Sequence, residues 1–157
     1  MVTLKAGDRA PAFTLKDQHG TTRKLSEWKG RHVVLYFYPK ADTPGCTTQS
    51  CALRDAEPDL EKLSAAVVGI SPDPVSRQAK FDEKYGLGFP LLADEDHTVA
   101  EKYGVWGEKT NYGRKYMGII RSAFVIDDKG KIAAAFYKIS PKDTVGKVSG
   151  ALEAVGK

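Results

Sequence analysis

Residues 32–51 read HVVLYFYPKADTPGCTTQSC, and their first seven decide the fold. His32 to Tyr38 is almost continuously apolar, which suits a central strand covered on both faces rather than one with a wet side. The run stops at Pro39. Pro44 and Gly45 then stand where a helix would begin: proline pre-sets the first turn, and glycine lets another group approach the backbone closely. Leu53, Ala56, Leu60 and Leu63 recur at helical spacing, so an amphipathic helix is expected from about Pro44 to Ser64, with Pro58 inside it as a kink. AAVVGIS (65–71) repeats the character of the first strand.

Working outward, FTLKDQHGTTRKL (13–25) reads as two short strands around a turn at His19 and Gly20, and SEWKG as a turn or helical fragment. Asp73 followed by Pro74 looks like an N-cap and first helical position of a helix running to Tyr85 and stopping at Gly86. FPLLA (89–93) is a third short strand, and Asp96 to Tyr103 a helix closed by Gly104. Ser122–Ile126 and Lys131–Ile139 pair as a hairpin across DDKG. Ser140-Pro141 opens a last helix whose Val145, Val148, Leu152 and Val155 form one apolar stripe. Strands alternating with helices, then a hairpin and a closing helix, indicate an α/β layered fold with a mixed sheet. VWGEKTNYGRKYMGII (105–120) fits no period; it reads as a long loop, either a surface segment or, through its aromatics, a lid or pocket wall.

The chain of 157 residues is expected to form one domain, residues 1–157, with 41% apolar and 28% charged residues as in ordinary globular chains. No window approaches the roughly 18 apolar residues of a membrane helix. MVTLKAGDRAPAF carries no basic-then-apolar signal, so a cytoplasmic address is expected. The net charge of +4 arises from 24 basic and 20 acidic residues that are interleaved, which points to a mixed solvated surface and not to a nucleic-acid partner.

Both cysteines, Cys46 and Cys51, fall in the opening stretch. In the cytoplasm a structural disulfide is disfavoured. Zinc needs about four ligands, and His19, His32 and His97 are scattered singly, so no metal or organic cofactor is expected. A free cysteine, with a pKa of about 8.5, is mostly an unreactive thiol at neutral pH. Cys46, however, sits where a strand has ended and a helix begins, and unpaired N–H groups at a helix N-terminus favour a thiolate. Simple packing is the commoner role of a lone cysteine; the second cysteine and this junction turn the balance toward redox chemistry.

Pro39, Thr43 and Cys46 spell P-x-x-x-T-x-x-C, which resembles the active-site signature of peroxiredoxins. The fuller YPKADTPGCTTQSC is similar to the peroxiredoxin Q, or bacterioferritin-comigratory-protein, subfamily of atypical two-cysteine enzymes. GDRAPAFTL, VVGISPD and YGVWGEK…YGRKYMGIIRSAFVID carry the resemblance over nearly the whole chain. It implies a thioredoxin-like fold with a mixed central sheet, flanking helices and an N-terminal β-hairpin extension. It further implies a peroxidase acting on hydrogen peroxide and organic hydroperoxides, with Cys46 as the peroxidatic cysteine and Cys51 as the resolving one. Thr43 would hydrogen-bond at the site, Arg121 would supply positive charge, and Pro39 would shield the thiolate from water. Thioredoxin or glutaredoxin would be the reductant, and the chain a monomer. Two positions depart from the family: Gln49, where glutamate is frequent, gives no support for an acid there, and Ala123 replaces a frequent threonine.

The chemistry agrees with that assignment. Thiolate attack on a peroxide moves charge from sulfur to oxygen, and donors already aimed at both atoms stabilise the transfer. Arginine suits this because it cannot deprotonate and presents forked N–H groups. The sulfenic acid so formed condenses with a neighbouring thiol. A thiol–disulfide oxidoreductase would instead use C-x-x-C, and a non-catalytic module would not need the Cys46, Thr43 and Arg121 set. If residues 46–51 are helical, their Cα atoms stand roughly 8.7 Å apart, beyond the 4.4 to about 6.8 Å a disulfide tolerates. Disulfide formation would then unwind the helix, unless Cys51 lies outside it.

Overall fold

The computed structural model describes residues 3–155. In chain order the strands are β1 (Thr14–Lys16), β2 (Thr22–Lys24), β3 (His32–Phe37), β4 (Ala65–Ser71), β5 (Leu91–Ala93), β6 (Trp106–Asn111), β7 (Arg114–Ile119), β8 (Ser122–Ile126) and β9 (Ile132–Phe136). The α-helices are α1 (Pro44–Lys62), α2 (Val75–Tyr85), α3 (Thr98–Lys102) and α4 (Thr144–Val155), with 3₁₀ turns at Leu25–Trp28 and Pro141–Asp143. Seven strands form one sheet in the order β2-β1-β5-β4-β3-β8-β9. β3 runs parallel to β4 and antiparallel to β8, so the sheet is mixed and β3 is an interior strand paired along both edges.

The continuous apolarity of β3 follows from that position. Val34, Tyr36 and Tyr38 enter one core with Leu53 and Leu60 of α1, Phe81 of α2, and Val148 and Leu152 of α4. Val33, Leu35 and Phe37 enter the opposite core with Trp28, Val99, Tyr103 and Phe124. Alternate residues thus serve two cores, and each fully buried large side chain is worth about 1.5–3 kcal/mol relative to exposure. Tyr36 pairs across the sheet with Gly69. A Cβ at Gly69 would stand 2.9 Å from the Tyr36 ring, so that glycine makes room for the ring. α1 runs unbroken through Pro58, whose missing N–H removes one rung from the helical ladder.

The thioredoxin-like arrangement and the N-terminal hairpin match the expectation. β1 and β2 pair antiparallel, and β1 joins the main sheet through Lys16↔Ala93. The turn between them is tied by Asp17, whose Oδ1 accepts from the amides of His19 (2.9 Å) and Thr21 (3.1 Å) and whose Oδ2 accepts from Arg23 (3.0 Å).

Three expectations are corrected. Residues 105–120 are not a loop: β6 and β7 form a separate two-stranded antiparallel sheet, in register from Trp106↔Ile119 to Asn111↔Arg114. Its two-residue turn is Tyr112-Gly113, both at positive φ (51° and 78°). A two-residue turn of this type ordinarily takes Asn-Gly or Asp-Gly, and the tyrosine conceals it. Asp73 is also not a helix cap. Pro74 is the N-cap residue of α2, and the Asp73 carboxylate accepts from the Ala41 amide and the Ser71 hydroxyl, both at 2.7 Å. The helix expected over 96–103 is shorter, with His97 as its N-cap residue at φ 51°.

Candidate active site

Cys46 is the third residue of α1 and is 1% exposed. First-turn amides of a helix have no intrahelical acceptor, and they create positive potential around that position. Arg121 reaches the thiol from the segment joining β7 to β8. Its Nη2 lies 3.4 Å from Cys46 Sγ and its Nη1 donates to Gln49 Oε1 at 2.8 Å. One guanidinium therefore spans the sulfur and a side chain one turn along the same helix. Gly45 makes this approach possible, since a Cβ there would sit 3.0 Å from Arg121 Nη2.

Gln49 is fully buried, and its other end donates from Nε2 to Thr144 Oγ1 at 2.9 Å. The Thr144 hydroxyl in turn donates to the Ser140 carbonyl at 3.0 Å. Position 49 thus accepts at one end and donates at the other, which an ionised glutamate cannot do. The amide also leaves Arg121 without a carboxylate partner among the described residues, so its charge is free to act on the sulfur. Sequence reasoning missed this role because it asked only whether position 49 could supply an acid.

Tyr36 belongs to the same core as Cys46, and its hydroxyl shares a 2.8 Å hydrogen bond with Ser50 Oγ. Burial pushes the Tyr36 phenol well up from its ordinary value, so it stays neutral. Lys109 of β6 is half-buried and donates to the Ile119 carbonyl at 2.9 Å. Burial lowers its pKa and so does the field of Arg121, while Cys46 acts in the opposite direction.

The remaining expected residues are placed as follows. Thr43 is the N-cap residue of α1; its carbonyl accepts from Thr47 N at 2.8 Å, and its hydroxyl donates to the Lys40 carbonyl at 2.8 Å. Pro39 is half-buried in the loop between β3 and α1. Cys51 lies inside α1, partly buried against the core, and both thiols are free. The loop itself is pinned at two points. Ala41 N donates to Asp73 Oδ2, and Asp42, at φ 60°, accepts from Lys84 Nζ (2.9 Å) and Tyr85 OH (2.6 Å). No sequence signal joined Asp42 or Asp73 to the site, because their partners lie more than 30 positions away.

A buried thiol at a helix N-terminus under an unneutralised guanidinium, on a thioredoxin-like sheet, is the arrangement of the thiol-dependent peroxidases. The chain belongs to the peroxiredoxins of the AhpC/TSA family, whose model matches residues 6–135. It is 52% identical over 136 residues to the peroxiredoxin Bcp of Escherichia coli strain K12, covering 87% of each chain. It is 46% identical over 146 residues to the peroxiredoxin Bcp of Bacillus subtilis strain 168, covering 93% of each. Among solved structures, it superposes with a TM-score of 0.90 and 33% identity on the bacterioferritin comigratory protein of Xanthomonas campestris, over 97% of this chain and 99% of that one. That protein was crystallised in trapped-intermediate and ligand complexes bearing on its alkyl peroxide reduction.

Proposed function

We propose that Cys46 is the attacking thiol of this thiol-dependent peroxidase and Cys51 the thiol that resolves it. The Cys46 thiolate attacks one peroxide oxygen. An S–O bond forms, the O–O bond breaks, and the departing hydroxide or alkoxide takes a proton to leave as water or an alcohol. The Cys46 sulfenic acid then condenses with the Cys51 thiol, releasing water and forming an intramolecular disulfide. A dithiol reductant, thioredoxin or glutaredoxin, returns both thiols.

The observation that carries this reading is the Arg121 fork, with one arm 3.4 Å from Sγ and the other fixed on Gln49. A donor already held in place stabilises both the thiolate and the charge developing on oxygen without reorganising. Thr43 acts from the loop before the helix, and Pro39 excludes water there without adding an N–H. The relative from Xanthomonas campestris, with its alkyl peroxide reduction, supports organic hydroperoxides beside hydrogen peroxide as substrates. The enzyme works as a monomer of one domain, residues 1–157, in the cytoplasm. Among the described residues no helix is long and apolar enough to cross a membrane.

Stopped-flow oxidation of the reduced protein tests the reading. Arg121→Ala is expected to slow peroxide attack by about 10²- to 10³-fold, with Arg121→Lys recovering only part because a compact ammonium lacks the fixed planar fork that holds one arm on Gln49 and the other on the sulfur. Near-wild-type oxidation of Arg121→Ala would remove the fork from the mechanism.

A further inference from the structure

We propose that the β6–β7 hairpin is the docking surface for the protein dithiol that recycles the enzyme, and that this partner meets it with an apolar patch rimmed by acidic residues. The inference rests on the proposed Cys46–Cys51 cycle, which requires an external dithiol to reach a buried sulfur.

Four large apolar side chains are exposed among the described residues, and three of them, Tyr112, Tyr116 and Met117, belong to this hairpin. Tyr116, paired with Lys109, and Met117, paired with Glu108, lie on the two faces of the ribbon with Tyr112 at its tip, so the arm offers apolar contact to a partner that grips it from both sides, whereas single exposed apolar residues need no explanation. Tyrosine is enriched at interfaces because it buries a large rigid ring while keeping a polar end. The position of Tyr112 strengthens the case. It is fully solvent-exposed and sits at φ 51° in a turn that asparagine or glycine would occupy without strain. Folding gains nothing from an unpacked ring there, so the strained residue points to a function outside the chain.

The hairpin is anchored at its base and free at its tip. Trp106 stacks on His97 at 3.8 Å, Ile119 is buried, and Ile120 N donates to the Val105 carbonyl at 2.7 Å. By contrast, every residue from Tyr112 to Met117 is exposed. From its base the chain passes through Ile120 directly into Arg121, whose Nη2 is 3.4 Å from Cys46 Sγ. Lys109, midway along the arm, donates back to the Ile119 carbonyl at 2.9 Å, two residues before Arg121, so the base of the hairpin adjoins the site.

Charge selects among occupants. The arm carries Lys109, Arg114 and Lys115 against the single acid Glu108, which lies 3.8 Å from Lys115. The uncompensated cations favour an acidic rim on the partner, and they disfavour a second copy of the same hairpin.

The test compares reductants. Tyr112→Asn removes the ring while suiting the turn, and Tyr116→Ser with Met117→Ser removes the rest of the patch. Each protein is driven by a thioredoxin–thioredoxin reductase couple, by glutaredoxin with glutathione, and by dithiothreitol. The variants are expected to lose 10-fold or more in kcat/KM for the protein dithiol that recycles the wild type. Their dithiothreitol-driven turnover and single-turnover peroxide oxidation should not change. Equal kcat/KM for that dithiol in wild type and variants overturns the proposal. So does a parallel loss with dithiothreitol, which would assign the patch to the hydroperoxide. A wild type that is a dimer by light scattering, and becomes monomeric in the variants, assigns it to a second copy. A wild type recycled by dithiothreitol but by neither protein overturns the partner, whereas one that dithiothreitol also fails to recycle overturns the reaction cycle itself.

Discussion

Oxidising Cys46 and Cys51 to a disulfide is expected to melt the first turns of α1, and the helix geometry sets the size of the effect. Both residues lie within Pro44–Lys62. Five helical steps rise about 7.5 Å and turn about 140° on a radius of ~2.3 Å, placing the Cα atoms roughly 8.7 Å apart. A disulfide accepts about 4.4–6.8 Å, so rotamer changes alone cannot close the gap. Opening residues 46–51 gives up the backbone bonds donated by Thr47 through Cys51, each worth about 0.5–1.5 kcal/mol net, or roughly 5 kcal/mol together. The side-chain bonds of Gln49 to Thr144 and of Ser50 to Tyr36 go with them. The segment is poorly defended: Thr48 Oγ1 already bonds the Pro44 carbonyl at 3.0 Å, a side-chain contact that competes with the helix, and Pro58 interrupts the ladder downstream. Hydrogen exchange followed by mass spectrometry is the assay. Protection of the Thr47–Leu53 amides should fall by about 10³-fold or more on oxidation, since each 1.4 kcal/mol is roughly tenfold, while β3 keeps its protection. A mass-confirmed disulfide with unchanged protection there would refute the reasoning.

Cys46→Ser is expected to abolish peroxide turnover, whereas Cys51→Ser should undergo one oxidation and stop; mass spectrometry should then find a single added oxygen on Cys46. Gly45→Ala should leave thermal stability unchanged or raised, because alanine is the better helix former by about 0.5–1 kcal/mol. It should nevertheless slow oxidation in stopped flow, because the new Cβ would stand 3.0 Å from Arg121 Nη2 and crowd it away from the sulfur. For Asp17, burial works to raise the carboxyl, but the amides of His19 and Thr21 with the Arg23 guanidinium outweigh it and hold the pKa below the usual range. A lowered native pKa gives stability that is complete above the unfolded value and is lost as pH falls through the native one. Asp17→Asn should therefore cost about 1–2 kcal/mol at neutral pH and almost nothing in strong acid, as measured by urea unfolding.

The elements legible in the sequence were those whose signal is local. His32–Phe37 and Ala65–Ser71 were visible as strands because burial on both faces leaves no polar interruption, and α1 because its apolar residues keep helical spacing over many turns. The position of Cys46 was legible for the same reason, being the junction of two strong local patterns. What stayed hidden depended on distant partners or on a residue in an unusual role. Alternation in the β6–β7 hairpin is broken by Gly107 and Gly118, which face each other, and its turn carries tyrosine where asparagine would announce it. Asp73 precedes a proline as a cap would, yet its carboxylate turns to Ala41, 32 positions earlier. Gln49 departs from the family as a possible acid, and only the folded chain brings Arg121 and Thr144 to its two ends.

The two clamps on the loop before α1, Asp73 on Ala41 and Asp42 on Lys84 and Tyr85, bear on how fast the enzyme can be used again. Neither clamp draws on α1, so the loop from Pro39 to Thr43 is expected to keep its shape when the turns after it come apart. On the proposed cycle, reduction of the disulfide would let the helix regrow from a start whose direction and first carbonyls are already set. That is elongation, at about nanoseconds per residue, and not a fresh nucleation. Restoring the thiol to its guanidinium then takes negligible time beside the meeting of two proteins, and the turnover frequency of the cycle follows the supply of electrons.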